Sequence, residues 1–216
     1  MSSKFIIIRV LLFVLLVVGT TSAMIAQDND FTTWTKFKVN HKIDSRFAVS
    51  GNLELRTEDD MSAIDRWGIS VGGDYRAFSF LKFEIGYETH YRNLGEIGWK
   101  FRHRYRIGAT ASFRYQWLKM SLRERFQQTF DRGESETRLR SRLKLGYAPQ
   151  KGIVSPYFSI EIYQSLDDAP FWRTARLRYR PGIEIDLTKR WSLDAFYCYQ
   201  YESSRGKHIA GVCLLY

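Results

Sequence analysis

The chain has 216 residues, with 33 Lys and Arg against 23 Asp and Glu, for a formal charge of +10. That length fits one domain or one barrel. The basic balance raises a nucleic-acid partner, but the arginines alternate along strands instead of forming one exposed stripe, and export is indicated, so that class is excluded.

Lys4 and Arg9 accompany the apolar run FIIIRVLLFVLLVVGT, followed by the small residues Thr21, Ser22, Ala23 and then Ala26. A charged region, an apolar region and a cleavage zone in that order read as a secretory signal peptide. A single membrane anchor is the other reading, against which the run is short for a span. The expected division is a signal peptide over residues 1–26 and a mature barrel over 27–216, cut after Ala23 or Ala26 with Gln27 preferred as first residue. Loss of Lys4 and Arg9 takes the charge from +10 to +8. No later apolar run could span a bilayer as a helix, and mean hydropathy is negative.

Beyond the N-terminus the chain alternates with a period of two, the mark of a strand with two unlike faces. Phe31 to Asn40 is a first, weaker strand with Phe37 and Val39 on one face. Arg46 to Thr57 sets Phe47, Val49, Leu53 and Leu55 against Arg46, Asn52, Glu54 and Arg56. Arg66 to Phe78 and Leu81 to Arg92 follow, the second with Lys82, Glu84, Glu88, His90 and Arg92 on its polar face. Trp99 to Arg114 is the clearest of all: Trp99, Phe101, Tyr105 and Ile107 on one side, Lys100, Arg102, Arg104 and Arg106 on the other. Trp117 to Phe130 carries Lys119, Arg123, Arg125 and Gln127 inward, and Glu136 to Ala148 carries Arg138, Arg140, Arg142 and Lys144. Pro156 to Ser165 has Tyr157, Glu161 and Tyr163 inward. Arg173 to Leu187 has Arg176, Arg178, Arg180, Glu184 and Asp186. Trp191 to Tyr201 and Lys207 to Tyr216 complete the series.

A soluble sandwich also has a greasy and a polar face. Recurrence along nearly the whole chain points instead to an all-β, antiparallel up-and-down transmembrane barrel, lipid outside and polar lumen inside. Trp67, Tyr91, Trp99, Trp117, Tyr147 and Trp191 lie near strand ends, as interfacial girdles do. The terminal Tyr216, with Leu214, Val212 and Ala210 alternating behind it, resembles the signal by which the barrel-assembly machinery recognises outer-membrane barrels. Eleven segments are legible, whereas single-chain bacterial barrels use even numbers. With the C-terminus periplasmic the first strand would start outside, and four residues from Gln27 reach only ~14 Å, too little to thread the lumen. Ten to twelve strands are expected, with twelve as the single best number.

The lumen is the candidate site. Arg102, Arg104, Arg106, Arg123, Arg125, Arg138, Arg140, Arg142, Arg176 and Arg178 are candidate anion-binding residues, with Glu54, Glu84, Glu88, Glu161 and Glu184 as counter-charges. Antiparallel register proposes Glu88 opposite Arg102, Glu84 opposite Arg106 and Glu161 opposite Arg176, each open to a slip of two. Arg123 and Arg125 lie beside Arg140 and Arg142, and like charges facing each other destabilise a sheet. With Arg104, Arg106, Arg138 and Lys144 they form a basic sector. Its partners are either acids across the lumen (Glu54, Asp74, Glu184) or an anion from outside. The first case gives a rigid, salt-bridged, closed barrel; the second gives a path or pocket for small anionic solutes, since arginine rings favour anion pores.

Other sites are poorer. Glu124 and Ser141 break the apolar rule on the lipid face and sit opposite each other when Phe126 faces Leu139. A lipid hydrolase would need a base there, and His103 falls opposite Gln128, ~13 Å along. No catalytic set is assigned, and no metal spacing or cofactor signature is present. His90 and His208 read as rim residues. Cys198 and Cys213 point inward on the last two strands; a disulfide and two free thiols are both open.

The Trp34 strand after the signal peptide, Leu53-Glu54-Leu55-Arg56, Arg138-Leu139-Arg140, Pro156-Tyr157 with Glu161, Arg176-Leu177-Arg178 with Gly182, and the Tyr-rich penultimate strand resemble an uncharacterised outer-membrane family, the domain of unknown function numbered 2490. The resemblance covers nearly all of the mature chain. It implies a β-barrel in the outer membrane of Gram-negative bacteria, surrounded by outer-membrane lipid, and brings no activity that could be carried over residue by residue.

Overall fold

The computed structural model describes residues 31–131, 133–149, 152–167, 172–202 and 205–216. The expected signal peptide, 1–26, lies outside them. Eleven strands follow one another: β1 (Phe31–Lys42), β2 (Phe47–Glu58), β3 (Ala63–Arg76), β4 (Leu81–Asn93), β5 (Trp99–Tyr115), β6 (Leu118–Asp131), β7 (Glu134–Tyr147), β8 (Val154–Ser165), β9 (Arg173–Asp186), β10 (Ser192–Glu202) and β11 (Arg205–Leu215). Every segment legible in the sequence is a strand, its ends displaced by three residues at most.

The strands close in sequence order into a barrel, with β1 hydrogen-bonded to both β2 and β11. Ten of the contacts are antiparallel. The eleventh, β1 to β11, is parallel, from Phe31 opposite His208 to Lys38 opposite Leu215. This seam corrects the expected twelve. An even count is required only when the first and last strands run in opposite directions; a parallel seam closes an odd number. It also places the start of β1 and the end of β11 at opposite rims. The Phe31 N–H donates to Asp60 in the β2–β3 connection at 3.1 Å, whereas the Tyr216 N–H donates to the Lys38 carbonyl at the other end.

Alternation places the side chains as read. Ile85, Val71 and Ile107 are 63, 57 and 58% exposed on the outer face. An apolar belt of that extent needs a bilayer as its solvent. Closure leaves no sheet edge, so the ladders supply the backbone partners that lipid cannot, with one interruption between β9 and β10 at Pro181. Aromatic pairs mark both rims: Trp67 stacks on Tyr91 at 5.0 Å at one, and Trp191 meets Tyr216 at 4.8 Å at the other. In the β1–β2 turn the Asp44 carboxylate accepts the N–H groups of Phe47 and Arg46 at 2.7 and 2.6 Å. Those donors hold its carboxyl below the usual carboxylate range.

Candidate functional site: the charged lumen

The strands enclose a cavity of about 950 Å³. Its lining holds 18 Lys and Arg against 11 Asp and Glu, an excess of seven positive charges among the described residues. All ten candidate arginines and all five candidate glutamates line it.

Which charges meet differs from the sequence expectation by two residues at each place. Glu88 lies opposite Arg104, not Arg102, and Glu84 lies opposite Gly108, not Arg106. Glu161 lies opposite Arg178, not Arg176. Arg102 instead pairs with Asp131 at 2.6 Å, and Arg176 with Glu202 at 2.6 Å. The cause is local. Asn93 pairs with Trp99, extending β4 by one residue; between β8 and β9 a register shift falls at Tyr163/Gln164.

The acids expected to neutralise the basic sector are mostly engaged elsewhere. Glu54 is held by its neighbours Lys36 and Arg56. Asp74 pairs with Lys82 at 3.2 Å. Of the three, Glu184 alone reaches the sector, through Lys144. Two other acids serve the four facing arginines, and Glu88 and Glu136 serve the rest of the sector. Glu84 accepts from the Arg125 Nε at 2.5 Å, spanning from β4 to β6. It passes over Gly108 of β5, where an added Cβ would lie 3.1 Å from the Glu84 Oε1. The second is Glu161, 2% exposed. It accepts two bonds from the Arg140 Nη2 at 2.7 Å, with Arg178, Arg123 and Arg142 at 3.6, 3.7 and 3.8 Å. One carboxylate thus serves four guanidinium groups. Glu88 sits between Arg104 and Arg106 at 3.4 and 3.5 Å, and Arg138 pairs with Glu136.

The expected juxtaposition of arginines is present: Arg123 faces Arg142 and Arg125 faces Arg140. Several lumen contacts have no counterpart in the sequence reading. Arg180 pairs with Asp194 at 2.5 Å, and the Tyr157 hydroxyl donates to the same carboxylate at 2.7 Å. Alternation alone marks Asp194 as inward, because Tyr197, Tyr199 and Tyr201 share its strand's outer face. Trp34, Phe196, Cys198 and Ile209 form a buried apolar cluster inside the barrel. Inward Phe and Ile break the rule that the lumen is polar, which is why the alternation did not find them.

The lipid face keeps its polar pair. Ser141 lies opposite Glu124 and donates to its carboxylate at 2.6 Å. His103 lies opposite Phe130, while Glu124 lies opposite Ala109. Those six positions are ~20 Å, farther than the four expected and outside the reach of a base for Ser141. His90 is not a rim residue: it is 2% exposed within the lumen. Cys198 lies opposite Ile209, and Cys213 opposite Asp194. That offset, ~13 Å along the strand, is too long for a bridge, and both thiols are free.

Solved structures share this architecture. A KdgM porin superposes with a TM-score of 0.50 at 14% identity, over 81% of this chain and 87% of that one. A KdgM porin in complex with disordered oligogalacturonate gives 0.50 at 14%, over 85% and 95%. The translocator domain of the autotransporter NalP from Neisseria meningitidis gives 0.48 at 16%, over 78% and 73%. At 14% identity the likeness to the two porin structures is one of fold. No curated protein matches the chain. The model of the protein family of unknown function DUF2490 matches residues 31–209, and the chain, a closed membrane barrel of porin-like architecture, belongs to that family.

Proposed function

We propose that this barrel resides in the outer membrane of a Gram-negative bacterium, is recognised by the barrel-assembly machinery through its terminal strand, and binds or passes small anions without enzymatic chemistry. The carrying observation is the excess of seven cations around the lumen. A sealed, salt-bridged interior would be close to neutral, because an unpaired ion away from water is costly. Here the acids nearest the β6–β7 wall are outnumbered, and the guanidinium fork suits carboxylate and phosphate. The Ser141–Glu124 pair without a histidine in reach supports the non-enzymatic reading.

Planar bilayers test it. In a potassium chloride gradient the reversal potential should favour chloride over potassium. Replacing Arg104, Arg123 and Arg140 with Gln should shift that potential toward zero, since three of the seven excess charges are then gone. A correctly folded barrel with neither conductance nor anion affinity would sink the proposal.

A further inference from the structure

We infer that the β6–β7–β8 wall contains a subsite for a multi-oxygen anion, a phosphate or dicarboxylate group, as distinct from a diffuse field that merely favours halides. The inference rests on the anion reading above and sharpens its substrate class. Arg123, Arg125, Arg140 and Arg142 form a two-by-two block on adjacent strands. Their Cβ atoms are ~5 Å apart across the ladder. Arg125 is taken up by Glu84 and Arg140 by Glu161. Arg123 and Arg142 come no nearer to Glu161 than 3.7 and 3.8 Å, beyond hydrogen-bond length. The Nε groups of Arg123, Arg140 and Arg142 are buried and have no acceptor.

Buried donors normally have partners. The same strand shows that position does not force arginine: the next inward residues of β6, Gln127 and Thr129, are buried neutral side chains. Arg123 and Arg142 therefore present donors in a place where an uncharged residue would pack. Both lean toward one carboxylate that is already shared, so the field there is positive and the missing element is acceptor oxygen. A group with two or more oxygens could engage both forks at once, each charge-assisted. Chloride, a single atom, can lie between the two forks but cannot offer each of them its own acceptor atom.

The experiment uses the full-length barrel in planar bilayers carrying chloride current. Low-millimolar pyrophosphate should reduce the current in a saturable way, and succinate in a parallel arm tells a phosphate preference from a dicarboxylate one. The variant Arg123→Gln/Arg142→Gln should need about tenfold more blocker or beyond, the loss of charge-assisted bonds to one ligand. Lys82→Gln, whose partner is Asp74 outside the block, should leave the blocking concentration unchanged. A chloride-selective channel that neither anion blocks, or a double variant blocked like the parent, overturns the subsite and leaves the broader reading standing. Should the barrel not conduct, calorimetric titration with pyrophosphate decides: heat that vanishes in the double variant sustains the subsite while conduction falls, and no heat removes the subsite.

Discussion

Two walls of the same lumen solve opposite problems. The β5–β8 wall is crowded with guanidinium groups and leaves donors without acceptors. The wall formed by β10, β11 and β1 is packed like a small protein core. There the Phe196 ring crosses over Gly211 of β11 and meets Trp34 of β1 edge-on at 6.3 Å. Cys198 and Ile209 beside them are fully buried. Even the cations on this side lie on aromatic faces, Arg180 over Phe196 at 3.5 Å and Arg56 over Trp34 at 3.9 Å, where the ring quadrupole offsets their charge. This is also the side that carries the parallel seam, a ladder slightly weaker per residue than an antiparallel one. Apolar packing reinforces the barrel where its hydrogen bonding is weakest. Most of the buried guanidinium Nε groups without an acceptor, those of Arg123, Arg138, Arg140 and Arg142, lie on β6 and β7, whose shared ladder is antiparallel and without a register shift. Apolar packing at the seam and the densest positive charge thus lie on different parts of the circumference.

The sharpest way to break that division is to remove the carboxylate on which the charged wall depends. Glu161→Gln leaves Arg140, Arg178, Arg123 and Arg142 around a neutral amide. Breaking a buried ion pair by deleting one partner costs about 3–5 kcal/mol, and here one deletion strips four cations. Thermal unfolding in detergent, read from gel mobility, should shift further for this variant than for any single change on the opposite wall. A shift near zero would mean that the arginines are held by solvent or solute and Glu161 is dispensable. On the packed wall the matching change is Gly211→Ala. The new Cβ would lie 2.0 Å from the Phe196 ring, so the ring must leave Trp34, at an overpacking cost of about 1–3 kcal/mol. Because the lesion is at the seam and, although it disturbs Arg180 on the Phe196 ring, lies on strands other than those of Arg123 and Arg142, anion block should survive in the fraction that stays folded.

The two walls are also unequally legible in the sequence. Period-two alternation records which way a side chain points, so every arginine of the charged wall could be named from residue order. Which charge it would meet could not be read, because register is set by how a connection folds. The Leu94 N–H closes on the Gly98 carbonyl around a short 3-10 turn, and that one closure moves Glu88 from Arg102 to Arg104. The packed wall was almost invisible. Phe196 and Ile209 face inward in a barrel whose other inward positions are polar, and Gly211 looks like any small residue of an outer strand. What joins them is a ring crossing a neighbouring strand, a contact between three strands that no pattern along one strand encodes. The seam was missed for a related reason: counting segments gives eleven, but only the direction in which the last meets the first says whether eleven can close.

The smallest expected effect has the opposite sign and separates function from structure most cleanly. Arg123 and Arg142 face each other without a hydrogen-bonded acceptor between them, so replacing both with Gln removes a repulsion and two half-buried charges. Like charges directly opposed in a sheet cost roughly 0.2–1 kcal/mol, and the double variant should unfold at the same temperature as the parent or slightly above it. Residues retained at a cost to stability mark a site shaped by something other than folding. If instead the double variant unfolds well below the parent, the pair is part of the scaffold. The charged wall would then be a network that holds itself together through Glu161, differing from the packed wall in chemistry but not in purpose. Measured beside anion block on the same preparation, the sign of this one shift decides whether the division between the two walls is real.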